Sequence, residues 1–358
     1  MAVITLTTDL GTRDHYAASL KGTLLHLVPG ALIVDISHEI AHFNLMEAAF
    51  VAKSACPKFP ADSIHIIGVD PEGGSRLGMV IMRQDAQFYI APDNGVLSLI
   101  RYSDAAECVH VDMEAMSLPS QGRAFLVQNR MAQIAAALAG GQSMESLGTA
   151  APIKDFRWGE PSYNDSSLRG VIVHVDHFGN AITNVQKDAF MELKGERSFQ
   201  IFVRNLRIQR IVGSYGDASK GDSLALFSDN GHLEIAIREG SAAKLLGLKV
   251  QDMITIEFLR MIKRVVRMEF APEKVDTFLE LFNATKSQIR HFPGVQHLEL
   301  HRDASNHNVF YTYSIWDAEA SLEAYRVSPL FESVWSRTKV LFAGRPQAFS
   351  LEQVMVVD

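Results

Sequence analysis

Val3-Ile4-Thr5-Leu6-Thr7-Thr8-Asp9-Leu10-Gly11-Thr12-Arg13-Asp14 is the stretch on which the fold turns. Residues 3–7 form a continuous β-branched and apolar run, the pattern of a strand covered on both faces. The run passes directly into a carboxylate and a glycine turn. A helical stretch follows over residues 15–27 and is stopped by Pro29-Gly30. The alternation then repeats: a strand at 31–36, a helix at 45–55 ended by Pro57, and a strand at 64–69. Such alternation predicts an α/β domain with a mostly parallel sheet and helices on both faces. Residues 78–83, 88–91 and 106–111 add strands, and a helix at 130–139 ends at Gly140-Gly141.

Past residue 150 the pattern changes. Residues 152–165, rich in Pro, Trp, Asn and Ser, read as a linker. Short strands then follow at 170–175, 198–203, 206–211, 223–227, 233–238 and 253–257, with Gly-rich turns and one short helix at 241–246, which predicts an all-β sandwich or barrel. From residue 264 the order is strand (264–270), helix (272–290), strands (295–300 and 309–315), helix (318–340, broken near Pro329) and strand (348–356). That βαββαβ order predicts an α+β ferredoxin-like domain. The expected domains are thus 1–150, 165–260 and 262–358, as 358 residues exceed one ordinary core.

Apolar residues make up 47% and charged residues 21%, the balance of a globular chain, and a net charge of −7 argues against a broad nucleic-acid face. Cys56 and Cys108 are too few and too far apart for a zinc site or a disulfide scaffold, and read as small apolar residues in a reducing compartment. No basic-then-apolar leader opens the chain and no run approaches the ~20 apolar residues of a membrane span. A cytoplasmic protein with no membrane partner is expected.

Several segments can carry chemistry. In an open α/β sheet ligands bind off the carboxyl ends of strands. Asp9, just past the first strand, can accept two ribose hydroxyls, or Asp9 and Asp14 can cap the following helix. There is no GxGxxG, so this is not the usual dinucleotide fingerprint. The third strand ends in Val69-Asp70-Pro71-Glu72-Gly73-Gly74-Ser75-Arg76, where Asp70 and Arg76 can hold a water or form a surface ion pair. Asn94 can contact a ligand or serve its turn, Pro92-Asp93-Asn94-Gly95. In Val175-Asp176-His177-Phe178-Gly179-Asn180, Asp176, Phe178 and Asn180 can hold an amino-acid group or stack a base, or form a plain hairpin. His174 and His177 flank Asp176 without a third metal ligand nearby, so no metal is expected. Ser228-Asp229-Asn230-Gly231 can bind a carboxylate or make a type I′ hairpin.

Taken in order, TTDLGTRDHY (7–16), IVDISHEI (33–40), VDPEGGSR (69–76), APDNGVLS (91–98), VDHFGNAITN (175–184) and LEIAIREGSAAKLLG (233–247) resemble the S-adenosylmethionine (SAM) hydroxide adenosyltransferases, relatives of the fluorinating and chlorinating enzymes. The resemblance covers about residues 3–258. It implies a homotrimer with SAM bound between one subunit's first domain and the next subunit's β domain, and conversion of SAM and water to adenosine and methionine with no further cofactor. It makes Asp9 the ribose ligand and Asp70 and Arg76 catalytic. Asp176, Phe178 and Asn180 would meet the methionine or adenine end of SAM, with Asp14, Asn94 and Ser228 also facing it.

Two departures stand out. The loop from Asp70 to Arg76 is one residue short and carries Glu72 in place of a Gly. The family's His-Gly-Arg-Asp motif is represented by Gln121-Gly122-Arg123, and the neutral amide of Gln121 can orient a water but cannot act as a general base.

The tail, through residues 264–270, Phe292-Pro293-Gly294-Val295, 311–316 and Ser328-Pro329-Leu330-Phe331, resembles the antibiotic-biosynthesis monooxygenases, which are dimeric α/β barrels. Trimer and dimer contacts together would give a hexamer. His297, His301, Tyr313, Trp316 and Trp335 are candidates to line an apolar pocket there, or to pack the core. Three readings follow: a SAM hydrolase, a SAM- or adenosine-binding sensor or scaffold that has lost turnover, and a cofactor-independent monooxygenase working through the tail.

Overall fold

The computed structural model describes residues 1–71, 78–103, 105–114, 116 and 127–351. The chain divides into two compact units, Met1–Glu160 with Val173–Val175, and Pro161–Ile172 with Asp176–Asp358.

The first unit holds β1 (Val3–Thr8), α1 (Tyr16–Leu27), β2 (Leu32–Ser37), α2 (Leu45–Ala55), β3 (Ile64–Gly68), β4 (Met79–Gln84), β5 (Gln87–Pro92), α3 (Val96–Ile100), β6 (Glu107–Val111), α4 (Ala132–Ala139) and β7 (Gly148–Ala150). The sheet order is β2-β1-β3-β5-β4-β6-β7. Pairing is parallel from β2 to β5, while β4 pairs antiparallel with both β5 and β6, and β7 with β6. The sheet, expected to be mostly parallel, is mixed: five strands run one way, and β4 and β7 run against them. The reason is the tight Asp85-Ala86 turn joining β4 to β5, with both residues at positive φ, which permits a hairpin and no crossover.

Strand alternation sends Ile4, Leu6, Ile64, Ile66 and Ile81 to one face, under Leu20 and Leu24 of α1 and Ile134 and Leu138 of α4. The other face takes Ile67, Val80, Met82 and Tyr89, against Ala48, Ala49 and Ala52 of α2. The small residues of α2 let its backbone approach the sheet closely, and Asn44 caps it by accepting from the Glu47 amide at 3.1 Å. Both cysteines are free, Cys56 buried and Cys108 half-buried, and burial pushes the Cys56 thiol up to about 12.

The second unit begins with an antiparallel sheet of β8 (Ser162–Asn164), β9 (Ser167–Val175), β10 (Ala181–Gln186), β11 (Ser198–Val203), β12 (Leu206–Ile208), β13 (Ser223–Phe227), β14 (His232–Ile237) and β15 (Met253–Leu259), with α5 (Lys187–Lys194) and α6 (Ala242–Leu246) between strands. The order is β12-β11-β15-β9-β10-β14-β13, with β8 on β9. A parallel bridge from Ile211 to Ala225 brings the two ends of the sheet together into a nearly closed barrel. Phe190 of α5 plugs it, its ring 5.1 Å from Phe199, 5.4 Å from Phe227 and 5.8 Å from Phe258.

The tail comprises β16 (Ile262–Glu269), α7 (Val275–Arg290), β17 (Val295–Arg302), β18 (Val309–Trp316), α8 (Glu319–Arg326), α9 (Pro329–Lys339) and β19 (Gln347–Leu351). Its strand order, β17-β18-β16-β19, all antiparallel, is that of a ferredoxin-like sheet. The helical stretch expected over 318–340 is broken at the expected place, into two helices separated just before Pro329, whose fixed ring favours a first helical turn over a helix interior.

A buried histidine in the first unit has a consequence for stability. His65 lies on β3 with no exposure, its Nδ1 2.7 Å from the Thr5 hydroxyl. Burial lowers its pKa from 6.5 to about 4, against a weaker upward pull from the Gln87 amide. The unfolded chain takes up a proton as pH falls below about 6.5, while the folded chain resists until about 4. Stability is therefore lost across that window and fully present above it. Between pH 7.5 and 4.5 the wild type should lose about 2–3 kcal/mol more than His65→Asn, measured as the difference in urea-unfolding free energies.

Candidate functional site

The parallel register places Thr8 opposite Gly68 and Thr7 opposite Ser37, so the loops after β1, β2 and β3 leave one edge of the sheet together. The first loop is tied to the second. The Gly11 amide donates to the His38 carbonyl at 2.7 Å, and the Thr12 hydroxyl donates to Glu39 Oε1 at 2.6 Å. Asp9 Oδ2 accepts from the Phe43 amide at 3.0 Å. The helix-cap alternative for Asp9 and Asp14 does not hold: the residue before α1 is His15, which makes no side-chain cap bond, and Asp14 is exposed.

Sequence reasoning missed His38. It is buried, with Nδ1 2.6 Å from the Thr8 hydroxyl and Nε2 3.1 Å from Asp35 Oδ1, and Lys21 lies 2.5 Å from Asp35 Oδ2. Partial burial works to raise the Asp35 carboxyl, but Lys21 and His38 outweigh it and hold it below its ordinary value. This chain of contacts braces the strand end that carries Asp9.

Asp70 follows β3 at φ +44°, a conformation that costs a non-glycine residue of order 1 kcal/mol and that the surroundings must enforce. Asn94 supplies the enforcement. Its amide donates to the carbonyls of Val69 at 2.9 Å and Asp70 at 3.2 Å, and its Oδ1 accepts from the Val96 amide at 3.1 Å. Those bonds engage the whole side chain with backbone. Arg76 and Gln121, the other candidates on this side, lie outside the described residues.

The expected linker after residue 152 is in part a strap on this same region. The Lys154 amide donates to Asp93 Oδ1 at 2.8 Å, and the Trp158 indole donates to the Leu99 carbonyl at 2.8 Å. Phe156 packs so tightly over Gly95 (φ +100°) that a Cβ there would fall 2.9 Å from its ring.

In the barrel, Asp176 and Asn180 close a turn on themselves. Asp176 Oδ1 accepts from the Asn180 amide at 2.8 Å and Oδ2 from the Asn180 side chain at 3.0 Å. Gly179 (φ +84°) sits where a Cβ would lie 2.0 Å from the Ser241 hydroxyl, so only glycine lets the turn seat on the start of α6. Phe178 at its tip is 76% exposed, an aromatic face turned to solvent. Ser228 forms the other turn, its amide donating to the His232 carbonyl at 2.9 Å and its carbonyl accepting from Gly231. Among the described residues no cluster of three or more His, Cys, Asp or Glu is disposed to hold a metal.

Two further residues belong with this turn. Glu234 is 3% exposed and accepts a 2.5 Å hydrogen bond from the Tyr215 hydroxyl. Burial, with the Asp176 charge nearby, raises its carboxyl despite that bond. Tyr215 is raised too, first by burial and then by Glu234. A carboxylate inside the apolar run Leu233-Glu234-Ile235-Ala236-Ile237 was the available signal.

In the tail, the candidate pocket residues separate. Trp316 and Trp335 line a cavity between sheet and helices. His297, His301 and Tyr313 occupy the alternate positions of β17 and β18 and so face the other side of the sheet, where both histidines bracket Glu299 at 2.8 and 2.7 Å.

Residues 4–148 match the SAM hydroxide adenosyltransferase N-terminal domain, residues 170–255 the corresponding C-terminal domain, and residues 261–334 the antibiotic biosynthesis monooxygenase family. The chain is 31% identical to the (R)-S-adenosyl-L-methionine hydrolase of Methanocaldococcus jannaschii, over 71% of this chain and 95% of that one. It is 25% identical to the fluorinase of an Actinoplanes species, over 71% and 97% respectively. Among solved structures, an uncharacterized conserved protein of Thermotoga maritima shares 29% identity at a TM-score of 0.64, covering 72% of this chain and 99% of that one. Among the described residues no helix is long and apolar enough to cross a membrane.

Asn94→Ala would leave the carbonyls of Val69 and Asp70 without their side-chain donor. It should lower unfolding free energy by about 1–3 kcal/mol in a denaturant titration, whereas Asn230→Ala in an exposed turn should cost under about 1 kcal/mol.

Proposed function

Because the chain belongs to the SAM hydroxide adenosyltransferase family, we propose that it binds SAM and hydrolyses it to adenosine and methionine by attack of water at ribose C5′. The observation that carries the reading is the shared sheet edge at which β1 delivers Asp9 and β3 delivers Asp70. A ribose held there by its two hydroxyls on Asp9 presents C5′ toward the neighbouring loop. One oxygen of Asp9 already accepts from Phe43, which fixes the carboxylate's orientation before any ligand arrives.

The chemistry asks little of the protein beyond placement. SAM carries its own leaving group, so no cofactor is required. As the water oxygen forms a bond to C5′, the C5′–S bond breaks and its electron pair neutralises the sulfonium, releasing methionine as a thioether. The water's second proton leaves to solvent. Asp70 accepts a hydrogen bond from the attacking water and orients its lone pair, and Arg76 and Gln121 complete the water's setting. A neutral Gln121 fits this role because expulsion of a thioether from a cation needs no strong base.

Asp176, Phe178, Asn180 and Ser228 meet the rest of SAM. Asp176 and the buried Glu234 supply negative character for the substrate's ammonium, and Phe178 supplies a stacking face for adenine. The working form is a homotrimer in which these residues come from a neighbouring copy. The reading places the chain in the cytoplasm, where SAM is made and Cys56 and Cys108 stay thiols.

Purified protein incubated with SAM in H₂¹⁸O should yield adenosine labelled at its 5′ oxygen, together with methionine. Asp70→Ala should lower the rate at least ~100-fold with its unfolding midpoint retained. SAM bound in calorimetry without any product would replace this reading with that of a binding protein. Mixing Asp9→Ala with Asp176→Ala protein, each inactive alone, should restore part of the activity if sites are shared between copies.

A further inference from the structure

The tail encloses a cavity that the proposed hydrolysis does not use. It holds about 460 Å³ between the helix-facing side of the sheet and α7–α9, within the size range of small-molecule sites. Its walls are mostly apolar, with Phe278, Phe282, Phe331 and Trp335 among them, and with hydroxyls from Thr312, Ser314 and Thr338. One end is different. There Arg264, on the central strand β16, turns into the cavity and donates to the Ser350 hydroxyl on β19 at 2.9 Å. Arg326, at the same end, already has a carboxylate, Glu323, at 2.7 Å. Arg264 has no carboxylate within ion-pair distance among the described residues.

A half-buried guanidinium costs solvation free energy, which the Ser350 hydroxyl and the more distant Glu323, already paired with Arg326, offset only in part. Burial first, and then the neighbouring Arg326, work against its charge and outweigh the favourable pull of Glu323, which lowers its pKa. A guanidinium facing an apolar chamber is matched by an anion with an apolar body, since its planar fork pairs with a carboxylate through two parallel N–H···O bonds. We infer that this cavity binds an apolar monocarboxylic acid, with the carboxylate on Arg264 and Ser350 and the hydrocarbon body among the aromatic side chains. The site lies wholly in the tail and does not depend on the SAM chemistry.

Decanoate titrated into the full chain, followed by tryptophan fluorescence, tests it. Decanoate should bind at least 10-fold more tightly than decanol, which has the same chain without the charge. The response should shrink in Trp335→Phe and fall further in Trp316→Phe with Trp335→Phe, the two tryptophans that line this cavity, which places the ligand there. Arg264→Met keeps a long apolar stem, and should weaken decanoate at least 10-fold while leaving decanol within about 2-fold. Arg264→Lys should keep most of the preference. A matching thermal midpoint for each variant separates lost binding from lost fold. Equal affinity for decanoate and decanol, undiminished decanoate binding in Arg264→Met, or no binding of either would overturn the inference.

Discussion

Much of the first unit follows from the parallel register of β1 with its two neighbours. Because Thr8 lies opposite Gly68 and Thr7 opposite Ser37, three strands end at one edge and their loops must share it. Central strands of this kind are buried on both faces, and here they carry three threonines, Thr5, Thr7 and Thr8, with no exposure. A buried hydroxyl without a partner costs about 1–3 kcal/mol. Thr5 and Thr8 meet this with imidazoles, His65 and His38, one from each neighbouring strand or the loop after it. The same pairing that builds the sheet therefore also fixes the strand end from which Asp9 departs.

Two turns, one in each unit, use a common device. A short amide or carboxylate bonds to nearby backbone and forces a conformation that the chain would not otherwise hold. Asn94 does this for Asp70 at positive φ, and Asp176 with Asn180 does it for the turn that presents Phe178. Each bond is worth only about 1 kcal/mol net, but its effect is to remove alternatives before a ligand arrives. Restriction of this kind holds a turn ready without any added attraction.

What could be read from sequence was local in character. A strand that runs into Asp9, a Pro-Asp-Asn-Gly turn and an Asp-x-Phe-Gly-Asn turn each announce themselves within a few residues. His38 does not, because its partner Thr8 lies thirty positions away and meets it only after the strands pair in parallel. Glu234 was visible as a charge in an apolar strand, but its partner Tyr215 sits in a single 3₁₀ turn, Tyr215–Asp217, with no periodicity to link them. Residues 154–158 have a linker's composition, yet Trp158 and the Lys154 amide find partners on the first unit that no periodicity encodes. Helix α5 is eight residues long, too short for its period to stand out, and its role rests on one residue, Phe190, that plugs the barrel.

The junction between barrel and tail bears on how the tail can be used. Strand β15 ends at Leu259 and β16 begins at Ile262, so two residues separate a barrel strand from the tail's central strand. Leu259 pairs with Ser198, whose hydroxyl donates to the Asp317 carbonyl of the tail at 3.0 Å. A connection this short, braced by a second contact beside it, does not behave as a flexible tether. The tail is held against the barrel, so any symmetric assembly of the barrel sets the positions of its tails as well.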